Sequence, residues 1–228
     1  MTDKIKRTIR SFVRREGRIT PSQKNALDTL LPLFGIDLDH DVIDFEKAFG
    51  RQAPCIFEIG FGMGDSLVSM ALAHPENNYL GIDVHRPGLG NLLKKIEANE
   101  ITNVRVMSGD AVEVLKKHIA NDTLDAIYLF FPDPWPKKKH HKRRIVKPEF
   151  VQLIRSKLKT GGLFHMATDW ENYAEHMVEV MLPAEGFVNK GNQAGFVERP
   201  DYRPLTKFEN RGIKLGHGVW DIMFEKIA

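Results

Sequence analysis

Short apolar runs alternate with amphipathic stretches from residue 54 onward, and this alternation constrains the fold more than any other feature of the chain. The pattern predicts strands at residues 55–59, 79–82, 104–107, 125–131, 163–167 and 219–224, with another near residue 187. It predicts helices at residues 66–73, 88–99, 111–118 and 148–158, and a further helix that ends near residue 181. The fourth of these helices is expected to stop before Gly161 and Gly162. Such alternation is typical of an α/β domain with a mostly parallel, seven-stranded sheet and helices on both faces.

Acids or glycines stand at the ends of the first four predicted strands. The first strand is associated with Glu58, Gly60, Gly62 and Gly64, and the next three are followed by Asp83, Asp110 and Asp133. Ligands of parallel sheets bind beyond the carboxyl ends of the strands. Asp83 lies 19 residues past Gly64, where a carboxylate that binds a ribose is expected. These residues therefore predict a site for a nucleotide-like ligand.

A glycine turn at this position has three possible explanations. It is a tight turn that binds no ligand, an NAD-binding site, or a site for S-adenosylmethionine (SAM). The spacing Gly-x-Gly-x-Gly differs from the Gly-x-Gly-x-x-Gly of dinucleotide sites. Glu58 also suits a ligand with an amine and a sulfonium better than one with a pyrophosphate. We therefore favour SAM.

Three prolines and a basic run follow the fourth predicted strand. The sequence reads Pro-Asp-Pro-Trp-Pro at residues 132–136 and continues into six Lys or Arg and two His at residues 137–144, which we call the basic segment. The whole chain carries a formal charge of +3, so the other 220 residues together carry −3. Proline fixes φ and lacks an N–H, which predicts a stiff loop that holds Asp133 and Trp135. An acid and an indole beside a cation cluster indicate an enzyme that acts on a nucleic-acid base.

The remaining sequence features limit the domain organisation, the cellular location and the metal content that we expect for this protein. Residues 1–24 carry eight Lys or Arg and are expected to form a flexible arm, either a solvated tail or a second RNA contact, before a single domain at residues 25–228. One or two short helices are expected at residues 25–50. No apolar run approaches the roughly 18 residues that cross a bilayer, and Cys55 is the only cysteine, so a cytoplasmic protein without membrane contact is expected. His140 and His141 lack other close ligands, so no metal site is expected.

These motifs resemble those of the bacterial tRNA (guanine-N7)-methyltransferase family, which has the Rossmann-like class I methyltransferase fold. The resemblance covers nearly the whole chain. It rests on residues 11–20, 57–65, 81–85 and 168–170, on Pro-Asp-Pro-Trp-Pro-Lys-Lys at 132–138, and on Thr-Lys-Phe-Glu at 206–209. It implies methyl transfer from the cofactor SAM to N7 of guanine 46 in the variable loop of tRNA, forming 7-methylguanosine. The enzyme is then expected to be a monomer or a homodimer with tRNA as its partner.

The resemblance also implies roles for individual residues. It implies SAM contacts by Glu58, Asp83, Asp110 and Asp133, and a catalytic role for Asp133. It implies substrate contacts by Lys137, Asp169, Thr206, Lys207, Phe208 and Glu209. It implies RNA contacts by Lys139, His140, His141, Lys142, Arg143 and Arg144. Asp83 is a departure, because many members carry Glu there, and the shorter side chain is expected to reach the ribose with altered geometry.

Several alternatives stay open at this point. Thr206 and Glu209 also have the spacing of a capping box, and Asp169 is placed to cap the next helix. Trp135 either stacks on a base or packs within the protein. The chain as a whole is alternatively a non-catalytic RNA-binding module with a vestigial methyltransferase fold, or a methyltransferase for another nucleic-acid base.

Overall fold

A computed structural model describes residues 11–12, 17–38, 42–205, 209 and 218–228 of the chain. The strands in this part are β1 (Cys55–Ile59), β2 (Asn78–Asp83), β3 (Val104–Ser108), β4 (Leu124–Phe130), β5 (Leu158–Thr168), β6 (Phe187–Asn189) and β7 (Trp220–Lys226). The helices are α1 (Pro21–Thr29), α2 (Leu31–Phe34), α3 (Phe45–Phe49), α4 (Asp65–Ala73), α5 (Arg86–Ala98), α6 (Ala111–Lys117), α7 (Pro148–Lys157) and α8 (Glu171–Met181). A 3₁₀ helix spans Lys138–Arg143.

The strands form one sheet in the order β3-β2-β1-β4-β5-β7-β6. The first five of these pair in parallel, whereas β7 runs antiparallel to both β5 and β6. The predicted mostly parallel, seven-stranded sheet is therefore confirmed. The chain order reverses between β1 and β4, and ligands of open α/β sheets bind at such a switch point.

Apolar side chains cover both faces of the sheet, which explains why all five residues of β1 are buried. One layer joins β1 and β4 to α6, α7 and α8 through residues that include Phe57, Leu115, Ile127, Ile154 and Met177. The other joins the sheet to α1, α4 and α5 through residues that include Leu27, Leu67, Tyr79, Leu92 and Ile96. Among the residues that the structure describes, no helix is long and apolar enough to span a membrane.

The largest departures from the predicted element boundaries are at α1 and β5. Helix α1 begins at Pro21, inside the segment predicted to be a flexible arm, because Thr20 and Gln23 form a capping box. Strand β5 begins at Leu158 and runs through Gly161 and Gly162, which were expected to separate a helix from the strand. Gly161 has φ +82°, and the register of β5 against β4 shifts nearby, so these glycines permit an irregularity within the strand.

Candidate active site

The loops that follow β1, β2, β3 and β4 surround one cavity of about 250 Å³. Gly60, Asp83, Asp110 and Asp133 line it, each from a different loop. The carboxyl ends of neighbouring parallel strands share one edge of the sheet, and this brings residues together that are far apart in the sequence. The structure thus joins four of the predicted cofactor residues at the switch point between β1 and β4.

The glycine turn, residues 60–64, has a backbone that other residues adopt with difficulty. Gly60, Gly62 and Gly64 have φ of +80°, +58° and +76°. A Cβ built on Gly60 or Gly62 would meet nothing within 4 Å, whereas one on Gly64 would lie 2.7 Å from Leu92 Cδ1. The first two glycines therefore leave open space beside their Cα atoms, although their N–H groups already donate to Ile82 and Asp83. The third glycine allows α4 to pack closely against α5.

Asp83 fixes this turn as well as lining the cavity. Its Oδ2 atom accepts the N–H of Gly62 at 2.8 Å, and its Oδ1 atom accepts the N–H of His85 at 2.8 Å. Burial raises the pKa of Asp83, and these two hydrogen bonds partly oppose the rise. A carboxylate has about four acceptor positions, so Asp83 keeps acceptor capacity for a ligand hydroxyl beyond these bonds.

Asp110, like Asp83, has two roles, and it lies at the start of α6. Its side chain caps this helix by accepting the N–H of Val112 at 3.0 Å. Its carboxylate also lines the cavity wall, where further acceptor positions face the same space as Asp83.

Glu58 lies two residues before the glycine turn and is not among the residues lining the cavity. It is 2% exposed, and its Oε2 atom has no hydrogen-bond partner within the described ranges. Burial, followed by the charge of Asp83, raises the pKa of Glu58 to about 8. A carboxyl group with a pKa of about 8 is largely protonated at neutral pH, and Glu58 does not line the cavity, so the SAM contact predicted for Glu58 stays a prediction. The carboxylates that do line the cavity, Asp83, Asp110 and Asp133, fit a ligand with hydroxyl and amine groups such as SAM.

The loop after β4 holds Asp133 between two residues with unusual backbone conformations. Phe131 and Trp135 have φ of +51° and +48°, which is uncommon for aromatic residues. The N–H of Phe131 donates to the carbonyl oxygen of Ala167 at 2.7 Å, which fixes the start of the loop to β5. Asp133 is exposed at the cavity rim. Such strain is typical of functional loops and here aims one carboxylate at the opening.

Trp135 packs against the basic segment instead of entering the core. Its ring is stacked on His140 with centroids 5.9 Å apart, and the Arg143 guanidinium lies 5.0 Å from the ring centroid. Its indole N–H donates to the backbone oxygen of Ser11 at 3.0 Å. In this arrangement the ring is engaged by cationic and aromatic neighbours, so base stacking by Trp135 stays a prediction.

The basic segment folds largely as the 3₁₀ helix Lys138–Arg143, with most of its cations facing solvent. Lys139 and Lys142 are exposed, and His140, His141 and Arg143 are half-buried. Lys137 is also exposed, at the start of the same helix. This arrangement presents a compact positive surface beside the cavity rim.

Arg144 differs from the other predicted RNA-binding residues because it is only 2% exposed. Its Nε donates to the backbone oxygen of Pro134 at 3.0 Å, and its Nη2 donates to Oδ1 of Asn172 at 2.8 Å. The guanidinium also lies 4.7 Å from the ring centroid of Tyr173. A phosphate contact would require these bonds to break, so the structure gives Arg144 the role of fixing the proline loop to α8.

The remaining predicted substrate residues are only partly described. Asp169 is half-buried just beyond β5, on the same edge of the sheet as Asp133. Trp170, and not Asp169, is the N-cap residue of α8, so the capping alternative for Asp169 is wrong. Thr206, Lys207 and Phe208 lie outside the described residues.

Glu209 is described, and it is 3% exposed. Arg203, which is fully buried, donates from Nη1 and Nη2 to the two Glu209 carboxylate oxygens at 2.7 and 2.8 Å. Arg203 also donates from Nε and Nη2 to Asp221 at 2.6 and 2.8 Å. The substrate contact by Glu209 stays a prediction, since both of its oxygens face Arg203 here.

A buried histidine extends this ion-pair cluster toward the sheet. His165 Nε2 lies 2.8 Å from Asp221 Oδ1, and His165 Nδ1 lies 2.8 Å from the Tyr202 hydroxyl. A carboxylate only accepts, so Nε2 donates to Asp221 and Nδ1 accepts from Tyr202. Sequence reasoning missed this cluster, which includes Arg203, because no local pattern joins its members.

We expect Arg203→Met to lower the free energy of unfolding by about 3–5 kcal/mol at pH 7, because it leaves two buried carboxylates without their cation. Burial alone would raise the pKa of Asp221, but hydrogen bonds from His165 and Arg203 outweigh it and lower this pKa. The stabilisation is therefore present above the usual carboxyl range and is lost as the pH falls through the lowered pKa. The loss caused by the variant should therefore shrink in urea titrations only as the pH falls below about 3.8, the ordinary pKa of an Asp carboxyl group.

The exposed pair Lys190–Glu225 provides the matched control for this measurement. Lys190→Met should change the free energy of unfolding by less than about 1 kcal/mol, since exposed ion pairs contribute little. Equal effects of the two variants would contradict a stabilising role for the buried cluster.

Comparison with known proteins gives sequence relatives and a structural neighbour. A family model described as "Putative methyltransferase" matches residues 52–222. The tRNA (guanine-N(7)-)-methyltransferase of Shewanella denitrificans is 59% identical over 225 residues, which cover 99% of this chain and 94% of that protein. The enzyme of the same name from Hydrogenovibrio crunogenus is 58% identical over 222 residues, which cover 97% and 92%.

One solved structure with a similar fold is a 30S ribosomal A1408 methyltransferase from an uncultured bacterium. The match has a TM-score of 0.54 at 14% identity and covers 81% of this chain and 95% of that chain. This likeness concerns the fold alone.

Proposed function

We propose that this chain, which belongs to the tRNA (guanine-N(7)-)-methyltransferase family, methylates N7 of guanine 46 in the variable loop of tRNA. The methyl donor is SAM, and the product is 7-methylguanosine in tRNA. The observation that carries the proposal is that Gly60, Asp83, Asp110 and Asp133 line the same cavity, with the basic segment at its rim. A cofactor site and a phosphate-binding surface thus meet at the carboxylate that is expected to face the guanine.

The residues around the cavity suit SAM in both shape and charge. Asp83 and Asp110 offer acceptors for hydroxyl and amine groups, and Gly60 leaves the cavity wall without a side chain at its position. Glu58 is buried close to Asp83, and a cation bound in the cavity would favour its ionised form. SAM, when bound, supplies an electrophilic methyl group on a positively charged sulfur.

Asp133 and Asp169 are the residues that we assign to guanine recognition. The guanine edge has two donors, N1–H and the exocyclic amine, and a carboxylate accepts from both. Adenine lacks this pair of donors, so a carboxylate selects guanine. N7 has a lone pair and no proton, so the protein needs no general base and contributes chiefly by alignment, an effect worth roughly 7–11 kcal/mol.

The basic segment supplies the contact with the phosphate backbone. Lys139 and Lys142 face solvent beside the loop that carries Asp133, and an anionic backbone laid along them would bring a base to the cavity rim. A variable-loop guanine normally contacts other bases, so it must be exposed or flipped to reach the site. We further propose a cytoplasmic monomer or homodimer, in the compartment where tRNA is used.

We expect Asp83→Ala to raise the Kd for SAM by about ten- to a hundredfold, since charge-assisted hydrogen bonds contribute about 1.5–3 kcal/mol. The Kd for tRNA should change by less than about twofold, because Asp83 lies below the rim and away from the basic segment. Calorimetric titration with each ligand measures both constants. An unchanged Kd for SAM would remove Asp83 from the cofactor site.

Transfer from labelled SAM to bulk unmodified tRNA, followed by nucleoside analysis, tests the function itself. The proposal expects the label in 7-methylguanosine. A non-catalytic RNA-binding module would leave the tRNA unlabelled, and a methyltransferase for another base would place the label in a different nucleoside.

A further inference from the structure

Two residues from the amino-terminal part of the chain lie against the cofactor cavity. Ser11 and Phe12 line the same cavity as Asp83 and Asp133. They lie more than a hundred positions away from the proline loop in the sequence, so a specific contact is needed to hold them there. The indole N–H of Trp135 provides such a contact through its 3.0 Å hydrogen bond to the Ser11 oxygen.

The same indole ring also contacts the basic segment. His140 stacks on it, and the Arg143 guanidinium lies over it at 5.0 Å. Both side chains are half-buried and belong to the surface assigned to RNA. One side chain therefore joins the wall of the cofactor cavity to the surface that binds tRNA.

We propose that Trp135 is a positioning residue that holds residues 11 and 12 against the cofactor cavity and thereby couples tRNA binding to SAM binding. This inference rests on the proposed function, because it assigns the cavity to SAM and the basic segment to tRNA. A phosphate bound at His140 or Arg143 orders the ring, and the ordered ring keeps Ser11 and Phe12 in place. Residues held over the cavity exclude water and strengthen the electrostatic contacts inside it.

The coupling has a thermodynamic consequence in both directions. If tRNA lowers the Kd for the cofactor by some factor, the cofactor lowers the Kd for tRNA by the same factor. Typical couplings between two sites lie at about 5- to 150-fold. The binding constants therefore report on Trp135 without any turnover.

Trp135→Phe is the variant that isolates the hydrogen bond. Phenylalanine keeps an aromatic ring for His140 and Arg143 but has no N–H to donate to Ser11. With S-adenosylhomocysteine as the probe, we expect the Kd to rise about three- to tenfold without tRNA, the usual worth of one hydrogen bond. The tightening produced by tRNA should fall below about twofold. Trp220→Phe, in β7 and outside the cavity wall, is the matched control and should leave both values unchanged.

A second variant tests whether Trp135 acts through residues 11 and 12. Phe12→Ala opens the cavity wall directly, and the double variant with Trp135→Phe should bind the probe about as weakly as Phe12→Ala alone. Independent effects that multiply in the double variant would overturn the proposal. A Kd for the probe that Trp135→Phe leaves unchanged, with tRNA and without it, would also overturn it.

These binding results are distinguishable from the outcome for the proposed function. The function stands or falls on the nucleoside that the wild-type enzyme produces. The inference stands or falls on the affinity for S-adenosylhomocysteine and on its response to tRNA, which are measured without methyl transfer.

Discussion

Asp133→Ala is expected to lower the single-turnover rate of methyl transfer by about a hundredfold or more, since misplacing a reacting group by about 1 Å has an effect of that size. Asp133 stands at the cavity rim between Phe131 and Trp135, whose positive φ angles fix the loop. Removing the carboxylate leaves the loop in place but removes the acceptor for the guanine edge. The lower rate should therefore persist at saturating SAM and tRNA.

Asp133→Asn and the pH dependence separate a positioning carboxylate from a general base. Asparagine keeps the shape but replaces one acceptor with a donor that opposes the guanine N–H groups, so this variant should also lose most of the methyl-transfer rate.

The wild-type rate of methyl transfer should be flat from about pH 6 to about pH 9, because N7 has no proton to remove. A rate that climbs through a pKa near about 7 would instead indicate an essential base, with a histidine as the first suspect. Near-wild-type turnover by Asp133→Ala would contradict the assignment of guanine recognition to Asp133, and Asp169 would be the next residue to test.

Replacing Lys139, Lys142 and Arg143 with Ala is expected to weaken tRNA binding and to flatten its salt dependence. Each lost phosphate contact removes about 0.7–0.9 from the slope of log affinity against log salt, so the triple variant should lose about two to three units. Arg144 is left unchanged because it is buried and fixes the proline loop. The Kd for tRNA measured from about 50 to about 200 mM salt gives the slope.

The control for this experiment replaces three exposed lysines elsewhere, namely Lys116, Lys117 and Lys190. It removes the same net charge but lies away from the cavity, since Lys116 and Lys117 end α6 far from the edge that carries Asp133. The control should keep the wild-type slope within about half a unit. Equal slopes for the triple variant and the wild-type enzyme would reassign the basic segment to a solvated surface.

Much of the fold was predictable because its signals are local. The predicted residues 55–59 coincide with β1, and the bounds of β2, β3 and β4 differ from the prediction by one residue at each end or less. Those strands are short apolar runs that end in an acid or a glycine turn. The predicted strand at residues 163–167 is shorter than β5 because Gly161 and Gly162 are typical of a chain break between a helix and a strand. The pairing of β5 with β4 shows that both glycines lie within the strand.

The candidate site was predictable to the extent that it follows from topology. Asp83, Asp110 and Asp133 each follow a parallel strand, so a shared edge was sufficient to bring them together. The bond from Trp135 to Ser11 spans 124 positions, and the burial of Arg144 depends on Asn172 in α8. Such pairs leave no periodic trace in the sequence, so the prediction treated every cation of the basic segment alike.

A pair of tRNA transcripts that differ only at nucleotide 46 shows whether the enzyme methylates guanine 46. Each transcript is incubated with the wild-type enzyme and labelled SAM, then digested for nucleoside analysis. We expect one 7-methylguanosine per molecule from the transcript with guanine 46 and none from the transcript with adenine 46. Labelled 7-methylguanosine in the second transcript, or any other labelled nucleoside in the first, would contradict this expectation.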